Sequence, residues 1–135
     1  MPGIRDRRDR GAAPVEFVLI SVLLIFLLFA VLQVALYFYA RNVVAASAAD
    51  AARYAASADI PADAGGPRAE QLIAQGLHLG NASAISCTSG TGTDPASGLP
   101  VEQVRCTGRL HAAFTPLTIP LDLTITSSAL KEGRP

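Results

Sequence analysis

The feature that most constrains this chain is an uncharged run from Phe17 to Ala40, FVLISVLLIFLLFAVLQVALYFYA, whose only polar members before its closing tyrosines are Ser21 and Gln33. About 20 apolar residues wound as a helix cross the hydrocarbon core of a bilayer, so these 24 are long enough with some tilt. The competing reading is a buried core helix. It requires protein on every side, and a chain of 135 residues has little to wrap around a helix apolar all round. Tyr37 and Tyr39 close the run where an aromatic belt would lie. The expectation is a transmembrane helix over about 17–40.

This run distorts the averages. Residues 15–40 hold six of the eight aromatics, leaving Tyr54 and Phe114 for the rest. The remainder is rich in alanine and predicts a thin core. Arg5, Arg7, Arg8 and Arg10 precede the run, against Asp6 and Asp9. Only Lys and Arg set topology, so 1–11 is expected to be a basic cytoplasmic leader and the part after the run to lie outside. Arg41 opposes this weakly. A cleaved secretory signal fits poorly, since its apolar core spans only about 7–15 residues. Ala46-Ser47-Ala48 matches a cleavage site, but alanine-rich sequence generates such matches.

Eleven acids balance eleven bases, which argues against direct nucleic-acid binding, and two cysteines with two histidines are too few for a zinc framework. No cofactor or metal is expected, and no paired nucleophile and base marks an enzyme. Ser128-Ala129-Leu130-Lys131 matches S-x-x-K but lacks the companion motifs. Gly90-Thr91-Gly92 lacks the strand–helix context of a nucleotide loop. His78 and His111 are isolated, and the sequon Asn81-Ala82-Ser83 is uninformative without a cell type.

Glu16 stands at the edge of the apolar run, behind Gly11-Ala12-Ala13-Pro14-Val15. A carboxylate there costs free energy unless paired or interfacial. Placed in the first helical turn it would be favoured by the helix dipole, and Pro14 would forfeit no hydrogen bond. An interfacial helix start therefore accounts for both.

The same residues also support a sharper reading. A basic leader ending in Gly11, a glutamate five residues on, then Phe17 and a long apolar helix resembles a prepilin leader. RGAAPVEFVLISVLLIFLLF followed by YFYARNVVAASAADAARYAA resembles the TadE-like family of minor pilins, or pseudopilins, of tight-adherence (Tad/Flp, type IVb) pili. The terminal LTITSSALKEG is similar to that family's closing strand, with its basic-acidic pair Lys131-Glu132. The resemblance implies a structural subunit cleaved between Gly11 and Ala12 by a prepilin peptidase. It implies that Glu16, followed by Phe17, neutralises the amino terminus of a neighbouring subunit. Its partners would be the membrane, other pilin subunits and Tad assembly proteins. The alternative is a permanently anchored single-span protein whose external domain binds a partner or wall component.

Beyond Tyr39 the sequence becomes amphipathic without Gly or Pro until Ile60-Pro61, so one helix is expected over 12–59. Val44, Ala48, Ala51, Ala55 and Ala58 form a small-residue stripe at steps of three and four. It could receive a neighbouring helix or this chain's own domain. Asp50 and Arg53 could pair on another face.

Residues 60–135 predict a small external α+β domain. Asp63–Pro67 reads as a linker, and Pro67–Leu79 as a short helix with Leu72, Ile73 and Leu77 inward, ending near Gly80-Asn81. Strands are predicted at Ile85–Cys87, Val101–Leu110 and Leu117–Ser127, with Ser89–Pro95 as a flexible loop. Leu121, Leu123 and Ile125 alternate with Asp122, Thr124 and Thr126, the pattern of a half-buried strand. Cys87 and Cys106 fall on adjacent strands and, outside the cytoplasm, predict a disulfide rather than two buried thiols. The expected architecture is thus a membrane-anchored α+β chain, with a long N-terminal helix and antiparallel strands beyond it.

Overall fold

A computed structural model describes residues 12–77, 84–110 and 121–133. The elements are α1 (Ala12–Ala56), a 3-10 turn (Ala62–Ala64), α2 (Gly65–Gly76), β1 (Ile85–Thr93), β2 (Pro100–Leu110) and β3 (Leu121–Leu130). The chain divides into two compact units, Met1–Ala35 and Leu36–Pro135.

In the first unit, the described residues are the opening turns of α1. Phe17–Ala35 is exposed throughout except at Ser21 and Gln33, which are half-buried. A helix with mean hydropathy 3.0 in its most apolar window and none of that window buried fits a single-pass membrane anchor. At 1.5 Å per residue these 19 uncovered residues rise about 28 Å, close to the hydrocarbon thickness.

In the second unit, the rest of α1 and α2 pack with a three-stranded antiparallel sheet of order β1-β2-β3. Val44, Ala48, Ala51 and Ala52 of α1 meet Ala69 and Ile73 of α2, then Leu77, Ile85, Val104, Cys106, Leu110 and Leu123. The alanine stripe is therefore occupied by the chain's own domain. Its last expected member, Ala58, lies past the helix and is exposed. Tyr37, Ala40 and Val43 pack at the margin of this core, and the Tyr39 hydroxyl donates to the Gly76 carbonyl at 3.1 Å. The Tyr39 hydroxyl thereby ties α1 to the end of α2.

Several expectations are revised. The helix stops at Ala56 rather than Asp59. Ser57 N–H bonds the Tyr54 carbonyl and Ile60 N–H bonds that of Ser57, a tightening into 3-10 turns, while Pro61 disfavours α geometry at Ile60. The segment Asp63–Pro67 is helical rather than a linker, because its glycines let α2 pack closely. A Cβ on Gly65 would lie 2.9 Å from Val104 and 3.1 Å from Ala55; one on Gly66 would lie 2.7 Å from the Cys87 carbonyl oxygen. Pro67 falls in the first turn, where no amide hydrogen bond is lost. In α2, Ile73 and Ala69 are buried, with Leu77 just beyond the helix, but Leu72 is only half-buried. The expected stop at Gly80-Asn81 lies outside the described residues.

Further along, β1 runs on through Thr93, so Ser89–Thr93 is strand rather than loop, paired with Val104–Pro100 of β2. Cross-strand hydrogen bonding prevails there over the weak strand propensity of Gly90 and Gly92. The hairpin turn is shorter: Gly98 N–H bonds the Asp94 carbonyl and Asp94 N–H that of Leu99. β3 extends to Leu130, three residues past expectation, while 117–120 lie outside the described residues. Its alternation holds at Leu123, which is buried, and Ile125, which is half-buried; Leu121 is exposed at the strand's start. Asp50 and Arg53 form no ion pair; the pairs among the described residues are Arg109–Asp122 and Lys131–Glu102.

Candidate functional site

Two regions hold the residues singled out from the sequence. The first is the start of α1. Gly11, one side of the expected cleavage, lies outside the described residues, and Ala12 is the first described helical residue. Pro14 is the third residue of that helix, where an absent N–H breaks no intrahelical bond. Glu16 is the fifth, so it lies in the second turn, and the first turn holds no acid. The dipole argument for a first-turn carboxylate therefore weakens, because that effect fades beyond the terminal turn. Glu16 is exposed, as are Val15 and Phe17, the latter at 73%. A carboxylate thus stands on a helix surface whose neighbours are apolar.

The second region fastens the segment after β3 to the rest of the α+β domain. Cys87 and Cys106 are directly opposed in β1 and β2 and joined by a disulfide, with Cα atoms 4.1 Å apart. The backbone of Cys87 faces α2, where its N–H donates to Glu70 Oε1 at 2.8 Å. Nearby, Gly66 N–H donates to Ser89 Oγ at 2.9 Å. The disulfide and α2 together therefore seal this side of the sheet.

Past β3, Lys131 N–H bonds the Pro100 carbonyl and Glu132 N–H bonds that of Ala56, the last residue of α1. The Lys131 ammonium reaches Glu102 Oε1 at 2.9 Å, and Glu102 is fully buried. Its other oxygen, Oε2, has no hydrogen-bond partner. Sequence reasoning missed Glu102, although a signal was present. Glu102 shares the parity of Val104 and Cys106, so the strand's alternation puts it on the core face and demands a partner. Lys131 supplies that partner, which gives the residue of the S-x-x-K match a structural role.

Among the described residues no cluster of three or more His, Cys, Asp or Glu could hold a metal ion. His78, His111 and the Asn81 sequon lie outside the described residues. The two regions are thus an exposed carboxylate on an apolar helix and a disulfide-linked α+β domain.

The family model described as TadE-like protein matches residues 11–53, about a third of the chain, from the expected cleavage position to the last turn of α1. No curated protein matches the chain. No solved structure matches it either.

Proposed function

We propose that this chain is a structural component of a tight-adherence (Tad/Flp, type IVb) pilus, a TadE-like minor pilin held by one membrane helix. The observation that carries the reading is the family match over 11–53, which coincides with an uncovered apolar helix of membrane-spanning length. Its role is assembly rather than catalysis.

In this reading the basic leader stays in the cytoplasm and the disulfide-bonded domain lies outside, the compartment where such bonds persist. A prepilin peptidase cuts between Gly11 and Ala12, creating a new amino group ahead of α1. Glu16 then attracts the corresponding amine of a neighbouring subunit. Each charge alone is penalised near the apolar interface, so the correctly placed neighbour relieves both. The partners are other pilin subunits, Tad assembly proteins and the peptidase.

The decisive experiment is N-terminal sequencing and intact mass of the protein extracted from membranes that contain the peptidase. A chain starting at Ala12 supports the reading; one starting at Met1 or Pro2 overturns cleavage and favours a permanently anchored protein with a partner-binding domain. For the carboxylate, Glu16→Ala should leave membrane insertion intact and reduce recovery of the subunit with sheared pili. Unchanged recovery would remove the pairing role.

A further inference from the structure

The two edges of the sheet differ. At β1 the outward-facing groups are met by α2: Cys87 N–H donates to Glu70 Oε1 at 2.8 Å, Ser89 Oγ accepts from Gly66 N–H, and a Cβ on Gly66 would lie 2.7 Å from the Cys87 carbonyl oxygen. β3 has no such cover. Lys131 N–H bonds the Pro100 carbonyl, so by the alternation of an antiparallel ladder the odd-numbered residues of β3 face β2. The backbone groups of Asp122, Thr124, Thr126, Ser128 and Leu130 therefore point away from the sheet, and no hydrogen bond from the described residues reaches them. The devices that blunt an edge are missing from Leu121–Leu130: it contains no proline or lysine, and its pairing with β2 runs without a bulge. Beside this row Leu121 is 38% exposed, and Ile125 and Ala129 are half-buried, so the core face ends in a strip of apolar surface.

We propose that this edge pairs with the same edge of a second copy, β3 against β3 antiparallel, joining two three-stranded sheets into one. An occupant must offer unpaired backbone groups, apolar side chains alternating toward Leu121, Ile125 and Ala129, and hydroxyls alternating toward Thr124 and Thr126. β3 itself has that pattern. About a two-fold axis at Ile125, that residue opposes its counterpart, Leu121 opposes Ala129, Thr124 opposes Thr126, and Asp122 opposes Ser128. The outward-facing pairs Thr124–Thr126 and Asp122–Ser128, with their symmetry mates, supply about eight backbone hydrogen bonds. Charge restricts the register. Asp122 already pairs with Arg109 at 3.0 Å and meets no acid here, whereas sliding the strands far enough sets it against Asp122 in one direction or Glu132 in the other. Both α1 and β3 of one copy run toward the contact between Ala56 and Glu132, so the pair sets the two α1 segments pointing opposite ways. With α1 as anchor, it joins copies carried on facing surfaces rather than neighbours in one bilayer. The inference rests on the sheet and not on the pilus reading.

The test uses the full chain in dodecyl maltoside, with energy transfer between donor- and acceptor-labelled copies at a large excess of micelles. The native chain should form a weak, concentration-dependent dimer, since one strand edge is smaller than a standard interface. Thr126→Pro removes an outward N–H without touching the β2–β3 ladder and should weaken pairing about tenfold. Thr124→Lys/Thr126→Lys should lose self-pairing but pair with Thr124→Glu/Thr126→Glu, because each lysine then opposes a glutamate. Ile125→Cys should cross-link between copies on oxidation, whereas Leu130→Cys, about 34 Å from its counterpart in this register, should not. Circular dichroism checks that each variant keeps its sheet. A native chain that stays monomeric up to about 1 mM overturns the inference. So does Thr126→Pro pairing as tightly as the native chain, or a lysine and glutamate mixture that fails to pair.

Discussion

Replacing Lys131 by methionine should destabilise the α+β domain far more than replacing an exposed lysine ordinarily would. The substitution leaves the backbone bonds from Lys131 to Pro100 and from Glu132 to Ala56 in place, and removes only the ammonium 2.9 Å from Glu102 Oε1. At that separation and an effective dielectric of about 20, the gross attraction is about 6 kcal/mol. Much of it offsets the cost of desolvating Glu102, which has no exposed surface. Removing one member of a buried pair costs about 3–5 kcal/mol. The Lys131 side chain keeps 29% of its surface, so water can approach the vacated place, and about 3 kcal/mol is expected. Urea unfolding of the full chain in detergent, followed by circular dichroism of the sheet, measures this. The companion double variant Glu102→Leu/Lys131→Met should recover most of the loss, because an apolar pair of similar volume leaves no charge stranded. If Lys131→Met costs less than about 0.5 kcal/mol, or if the double variant loses the sum of the two singles, the pair is not coupled as argued.

Three further outcomes follow from the same packing. Replacing both Cys87 and Cys106 by alanine should cost about 3 kcal/mol, the value for a closed loop of this size, and the native protein should lose a similar amount in reductant; equal urea midpoints for both forms would contradict it. Gly66→Ala should cost about 1–3 kcal/mol, because the added Cβ would meet the Cys87 carbonyl oxygen at 2.7 Å, and an unchanged melting temperature would show that α2 can shift freely. In the β1–β2 turn, hydrogen bonds from the Ser97 hydroxyl and then its N–H hold the Asp94 carboxyl below its usual value of 3.8. A lowered folded value means that this contribution is present above the unfolded value and is lost as pH falls through the folded one. Ser97→Ala should therefore move the Asp94 carboxyl titration, followed by NMR, upward toward 3.8, and no movement would refute the assignment.

Much of the α+β domain was legible where a single periodicity dominates. The alternation through Leu123 and Ile125 found the core face of β3, and Cys87 with Cys106 marked β1 and β2 as neighbours. What misled was glycine. Gly65 and Gly66 read as a linker, and Gly90 and Gly92 as a loop, because local propensity treats glycine as a breaker. In the fold, Gly65 and Gly66 are helical where neighbouring chain comes too close for a side chain. Gly90 and Gly92 are strand because β2 lies alongside to bond them. Neither circumstance is local.

The sequence by itself determined the anchor. Nineteen successive residues from Phe17 to Ala35 need no tertiary partner to be helical or to favour lipid, since both properties follow from composition and intrahelical hydrogen bonding. It likewise marked Glu16 as a charge at the apolar boundary. Only the tertiary structure decided which face of the alanine stripe is occupied, where Lys131 finds its counter-charge, and that the chain end is fastened to the end of α1. Those outcomes depend on residues far apart in sequence, Ala56 with Glu132 and Glu102 with Lys131, meeting at distances that no local pattern encodes.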